Sequence, residues 1–181
     1  MPELQLETLD LNTIIDEVLD LYRTSNNQIR FRLELDPSMP QIEADAGRVR
    51  QVLHNLFKNA LEAMNYARGS TVRVSTRCAH EHSCRYVELK IEDNGPGIPD
   101  VLFDQLFDPY ITTKPRGSGL GLAIVKKIVE EHGGMLWAEN APDGGACIII
   151  RLPVVSSDRE TSDTMELDTE QSRDNNDDAA A

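Results

Sequence analysis

Residues 93 to 121 read DNGPGIPDVLFDQLFDPYITTKPRGSGLG, and this punctuated stretch constrains the chain more than any other. It holds Gly95, Gly97, Gly117, Gly119 and Gly121, with Pro96, Pro99, Pro109 and Pro115 among them. Glycine opens backbone angles closed to other residues and proline removes a backbone donor, so no regular element runs through it. Its flanks are regular. On one side Val87, Leu89 and Ile91 alternate with polar residues, the period of a strand with one buried face. On the other, LGLAIVKKIVEEH keeps helical spacing until Gly133 and Gly134 stop it.

The rest of the chain supplies partners for that strand and helix. Leu11, Ile14, Ile15, Val18, Leu19 and Tyr22 recur at helical spacing, with Asp10 or Asn12 available as the cap. Ile29, Phe31, Leu33 and Leu35 alternate as in a strand, and a turn follows around Pro37 to Pro40. From Gly47 to about Tyr66, Val49, Val52, Leu53, Leu56, Ala60 and Met64 form an apolar stripe, with Gly69 placed to end the helix. Val72 and Val74 mark a strand that pairs antiparallel with the one ending at Ile91, through a polar connection. MLWAEN and ACIIIRLP supply two last strands. The expected architecture is α/β (α+β): a two-layer sandwich with a mixed, mostly antiparallel sheet of about five strands and three helices on one face.

A chain of 181 residues, 40% hydrophobic, has enough apolar material for one domain with a proper core. The expected domain covers residues 1–155. From Ser156 the sequence is dominated by Asp, Glu, Ser and Asn, and residues 156–181 are expected to form a disordered acidic tail. A formal charge of -13 and a pI near 4.6 argue against a nucleic-acid partner, because phosphate neutralisation needs clustered Lys and Arg. Three cysteines and no secretory leader point to a reducing cytoplasm rather than a disulfide framework. With no apolar run long enough to span a bilayer, no direct membrane contact is expected, and any anchor of the parent protein lies elsewhere.

Three segments carry chemistry. In VRQVLHNLFKNALEAM, Asn55, Asn59 and Glu62 fall at i, i+4 and i+7 opposite the apolar stripe. An amide oxygen is a neutral hard ligand suited to a Mg²⁺ already held by phosphate oxygens, although an ordinary surface stripe has the same spacing. In DNGPGIP, two glycines and a proline let the backbone approach a flat ligand. Asp93 at the strand end then offers an acceptor for an exocyclic amine; a plain turn is the simpler alternative. In GSGLG, Gly117, Gly119 and Gly121 run into a helix N-terminus, whose free N–H groups and positive dipole end favour phosphates, with Lys114 and Arg116 adding charge. A glycine triplet alone is equally a flexible linker, and this one matches neither the P-loop nor the dinucleotide pattern.

Together these segments resemble, in order, the Asn box, first glycine box, aromatic lid box and second glycine box of sensor histidine kinases, over roughly residues 10 to 153. NLFKNALEAM and FDPYITTKPRGSGLGLAIVKKIVEEHGG look most like the nitrogen-regulation group. The resemblance implies the Bergerat ATP-binding fold shared with gyrase, mismatch-repair ATPases and Hsp90 chaperones. It also implies binding of Mg-ATP and transfer of the γ-phosphoryl group to a histidine on a separate dimerisation domain, within two-component signalling. By position, Asn59 would bind Mg²⁺, with Asn55 one turn before it and Lys58 on a phosphate. Asp93 would read the adenine amine in a pocket shaped by Gly95, Gly97 and Ile98. Gly117, Ser118, Gly119, Leu120, Gly121 and Leu122 would wrap the triphosphate, and Phe107, Tyr110, Thr112, Thr113 and Lys114 would form a mobile lid.

The chain departs from the family pattern in one place: Gly145 is followed by Ala146 where many relatives have threonine, so a hydroxyl near the adenine is missing. The implied partners are ATP and ADP, the histidine-bearing phosphoacceptor domain and, indirectly, a response regulator, with these residues themselves monomeric. A nucleotide-binding regulatory module or an anti-sigma-like serine kinase of the same fold is the alternative function.

The histidines in this chain do not replace the missing acceptor. His54 is expected to pack structurally, and His132 to serve as a cation at the end of the third helix. Cys78, His80, His82 and Cys84 lie close together in the hairpin connection, where ligands two residues apart do not easily close a tetrahedron; a polar hairpin tip is expected rather than a metal site.

Overall fold

The computed structural model describes residues 3–25, 27–81, 84–115 and 117–155, so Arg116, His82 and the expected acidic tail lie outside the described residues. In chain order the elements are β1 (Glu7–Leu9), α1 (Leu11–Ser25), β2 (Arg30–Leu35), β3 (Ile42–Ala44) and α2 (Ala46–Ala63). Then come β4 (Thr71–Glu81), β5 (Cys84–Asp93), a 3-10 helix over Asp100–Gln105, α3 (Gly121–Glu131), β6 (Met135–Asn140) and β7 (Ala146–Pro153).

The main sheet has the order β2-β4-β5-β7-β6, with β2 parallel to β4 and every other pair antiparallel. Period-two alternation sends Val72, Val74, Val87, Leu89, Ile91, Ile148 and Ile150 to one face, where they meet Ile15, Leu19, Leu53, Leu56, Val125 and Ile128 from the helices in a single core. This is the two-layer sandwich that the alternation implies.

Asp10 rather than Asn12 caps α1: its Oδ1 accepts the Thr13 amide at 3.3 Å. Asn12 instead donates to the Asp36 carbonyl at 2.8 Å and accepts from Thr76 Oγ1 at 2.8 Å. Asp45 caps α2 through the Arg48 amide at 3.0 Å. Gly133 and Gly134 end α3 as expected, with Gly133 at φ 69° and the Gly134 amide returning to the Val129 carbonyl at 2.9 Å.

The observed structure corrects the sequence reading in four places. α2 ends at Ala63 and not near Tyr66, because Asn65 and Tyr66 both take φ 51° and the Tyr66 amide bonds back to the Leu61 carbonyl; Gly69 is therefore not the stop. β1 and β3 pair antiparallel in a small second sheet; each is three residues long, too short for a period to register. The β4–β5 hairpin is longer than its apolar residues suggest, since main-chain pairing continues as far as Glu81 opposite Cys84. CAHEHSC thus belongs mostly to strands, with Cys78 opposite Val87, and no cluster of three potential metal ligands forms among the described residues. Finally, His132 is not a cation serving the helix dipole. The Asp45 amide donates to its Nε2 at 3.1 Å, which puts the ring proton on Nδ1, 2.7 Å from the Ile128 carbonyl.

The outer sheet face carries one deeply buried acid. Glu88, 1% exposed, accepts from Arg77 Nε at 2.7 Å and Arg151 Nε at 2.8 Å. Burial pushes its carboxyl up, but the hydrogen bonds and charges of the two guanidiniums outweigh that and hold it below the usual range. A depressed folded value stabilises above the unfolded carboxyl's pKa and is lost as pH falls through the folded one. Glu88→Gln should therefore cost about 2–3 kcal/mol at neutral pH, the worth of charge-assisted hydrogen bonds. In urea titrations that deficit should shrink below about pH 4, the range of an unperturbed Glu; an equal deficit at pH 3 and pH 7 would refute the ionic account.

Candidate functional site

α2 turns its apolar stripe into the core, which leaves Asn55, Lys58, Asn59 and Glu62 on the opposite side. Asn55 and Asn59 are half-buried, and Lys58 is exposed, its Nζ 3.8 Å from Glu62 Oε1. The Asn55 Nδ2 donor is buried yet has no hydrogen-bond partner. A buried donor left unpaired costs about 1–3 kcal/mol, and such a cost persists where a ligand is meant to meet it. The same side chain faces the start of α3: a Cβ placed on Gly121 would lie 4.0 Å from Asn55 Oδ1. No side chain caps that helix, so its first-turn N–H groups and positive dipole end stand beside the orphan donor.

The loop before α3 is folded tightly on itself. The Tyr110 amide donates to the Gly119 carbonyl at 2.9 Å, and a Cβ on Gly119 would come within 2.5 Å of the Tyr110 carbonyl carbon. Gly119 is thus required by space as well as by its φ of 65°. Gly117 packs its Cα against Thr112 Oγ1, which also accepts the Lys114 amide at 3.1 Å. Ser118 Oγ accepts the Leu120 amide at 3.3 Å. Phe107 and Leu122 are half-buried against the core, whereas Tyr110, Thr112 and Thr113 are exposed.

Lys114 leaves this loop and reaches α2. Its ammonium donates to Asn59 Oδ1 at 2.9 Å and to Glu62 Oε2 at 2.8 Å, so a cation already occupies the oxygen singled out for a metal.

Beyond the end of α2, the β5–loop junction makes a second cluster. Asp93 is 9% exposed, and its Oδ1 accepts the amides of Gly95 at 2.9 Å and Ala146 at 3.2 Å. Burial raises its carboxyl above the usual range, opposed by those two amides and by the charge of Lys114. Ala146 thus reaches Asp93 through its backbone, a contact that does not depend on the absent threonine hydroxyl. Gly95 lies against the Met64 side chain and the Ala63 carbonyl. From Asn55 to Ala63 the two clusters line about 12 Å of α2.

In this second cluster Asn140 has no counterpart in the sequence pattern, and Gly145 figures there only as the neighbour of Ala146. Asn140, at the end of β6, clamps Ile98 from both sides, accepting its amide at 2.7 Å and donating to its carbonyl at 2.9 Å. Gly145, at φ 95°, lets its backbone pass so close to the Asp93 carbonyl that any Cβ would collide with it. The available signal was a strand-end Asn and a paired glycine turn.

Chemically, the first cluster offers amide groups, an ammonium and free helix N–H groups for a polyphosphate and its counter-cation; the second offers a buried carboxylate for an amine. His54 stands apart from both clusters: its Nδ1 lies 3.2 Å from the Tyr22 hydroxyl, packed between α1 and α2.

The family model described as histidine kinase-, DNA gyrase B-, and HSP90-like ATPase matches residues 44–156. Sensor histidine kinase ZraS of Escherichia coli K12 is 37% identical over 153 residues, 83% of this chain and 32% of the relative. Nitrogen regulation protein NtrY of Azorhizobium caulinodans is 37% identical over 169 residues, 90% of this chain and 21% of the relative. The chain therefore spans a third or less of the length of either relative. The catalytic domain of histidine kinase ThkA superposes with a TM-score of 0.72 at 34% identity, covering 82% of this chain and 95% of that one. The boxes, the sandwich and these likenesses agree: the chain belongs to the histidine kinase-, DNA gyrase B-, and HSP90-like ATPase family, and its relatives there include sensor histidine kinases.

Proposed function

We propose that this site holds Mg-ATP and presents the γ-phosphoryl group to a histidine of a separate helical dimerisation domain, from which a response regulator is served. The single observation that carries the reading is the orphaned Asn55 Nδ2 beside the uncapped N-terminus of α3. Asn59 Oδ1 would complete the coordination of Mg²⁺, which supplies charge neutralisation at the phosphates. Asn55 and the first-turn amides of α3 would bind phosphate oxygens, and Lys114 would join them. Asp93, with both backbone donors on Oδ1, keeps Oδ2 for the adenine amine. Phosphoryl transfer asks for positioning and electrostatics more than covalent help, and these residues supply both. No helix among the described residues is long and apolar enough to cross a membrane. A cytoplasmic, monomeric domain is part of the proposal.

Calorimetric titration of ADP and ATP, with and without Mg²⁺, into wild type and Asp93→Asn tests this. Turned to keep its oxygen on Gly95 and Ala146, the variant's amide would point a donor at a donor. Loss of a charged hydrogen bond predicts about 10- to 150-fold weaker binding. Equal affinity in the two proteins would sink the adenine assignment. Acid-labile labelling of a supplied histidine-bearing domain checks the transfer itself.

A further inference from the structure

Lys114 and Glu62 make a contact that the proposed chemistry does not use. Glu62 Oε2 takes the Lys114 ammonium at 2.8 Å, while Oε1 faces Lys58 at 3.8 Å. Lys114 and Glu62 are 29% and 31% exposed at their side chains, so solvent screens the pair only in part. The same ammonium also holds Asn59 Oδ1 at 2.9 Å. An ammonium and a divalent cation held on that one oxygen would face each other across a few ångströms and repel strongly, so the two compete for it.

We propose that Glu62 is a positioning residue: it parks Lys114 on the metal-ligating amide, so that the metal enters only as the lysine leaves for the phosphates. The inference rests on the Mg-nucleotide reading above. Glu62 lies one turn beyond Asn59 on α2, where it holds the lysine without bonding to Asn59 itself. The device makes nucleotide without metal a poor ligand. Its phosphates can draw Lys114 away, but nothing then replaces the cation on Asn59.

Two measurements on wild type, Glu62→Ala and Glu62→Gln test this. The first is the rate of amine labelling of Lys114 without nucleotide, read against Lys127 in the same sample. A pair of this exposure predicts about fivefold faster labelling in Glu62→Ala, with Glu62→Gln, which keeps a hydrogen-bond acceptor, in between. The second is the Mg²⁺ concentration that half-saturates ADP binding, expected to fall by a similar factor in Glu62→Ala. A rise in that concentration would make Glu62 a metal ligand and overturn the proposal; so would unchanged labelling. If wild type bound no Mg-nucleotide, the function proposed above would fall, whereas the labelling experiment would still decide whether Glu62 holds the lysine.

Discussion

Asn59→Ala is expected to lower Mg-dependent ADP and ATP affinity at least about a hundredfold, and phosphoryl transfer with it, while leaving the fold intact. On the proposed assignment, losing the amide oxygen would remove the metal's protein ligand on α2, and every 1.36 kcal/mol forfeited at the reacting charge is a factor of ten. Stability should not fall, because Asn59 lies off the apolar stripe and alanine is the better helix former by about 0.5 kcal/mol. Thermal unfolding and calorimetry on the same preparation separate the two effects. A well-folded variant with wild-type affinity would show that Asn59 is not the metal ligand, whereas one that binds ADP normally only without Mg²⁺ would support the assignment.

Gly145→Ala should have the largest effect on the protein as a whole. Its φ of 95° is strained for any residue with a Cβ, and the added methyl would strike the Asp93 carbonyl, which belongs to the backbone of β5 and cannot rotate away. Strain and displacement together predict about 3–4 kcal/mol of destabilisation, or about 10 °C in Tm for a domain of this size. Nucleotide affinity should fall as well, because the Ala146 amide that fixes Asp93 follows directly. Gly144→Ala is the control: it also has a positive φ, 94°, but nothing lies within 4 Å of a Cβ there, so it should show only the conformational cost. Equal losses in the two variants would mean that contact with Asp93 contributes nothing.

The helices and the main sheet were legible because their apolar residues repeat with periods that survive over whole elements: the stripe from Val49 to Ala60 and the alternation from Val87 to Ile91 are examples. β1 and β3 were not legible, since three residues contain no period and their pairing joins positions 7–9 to 42–44. The end of α2 was misread because a nearby glycine looked like a stop, whereas Asn65 and Tyr66 themselves take the left-handed turn. The candidate site was visible in its one-dimensional parts: the Asn stripe on α2, the DNGPGIP turn and the glycines before α3. Contacts between those parts were not. Lys114 meets Asn59 across 55 residues, Ala146 meets Asp93 across 53, and Asn140 meets Ile98 across 42. No local pattern announces such meetings. The neutral state of His132 was hidden for the same reason, because its partner Asp45 is 87 residues away.

That histidine bears on how the two helices of the candidate site are held together. α2 and α3 run in opposite directions, so the His132–Asp45 bond fastens the tail of one helix to the head of the other, while Asn55 and the α3 N-terminus face each other at the far end. The two helices also pack side by side, with Val125 and Ile128 in the same core as Leu53 and Leu56, so the bond fixes the end of a contact that is already continuous. Over the roughly 16 Å of α3, a tilt of a few degrees would shift the opposite tip by about an ångström, a displacement large enough to matter for positioning a reactant. The gap proposed above for a phosphate thus has one of its two walls tied down by an imidazole at the other end of the helix.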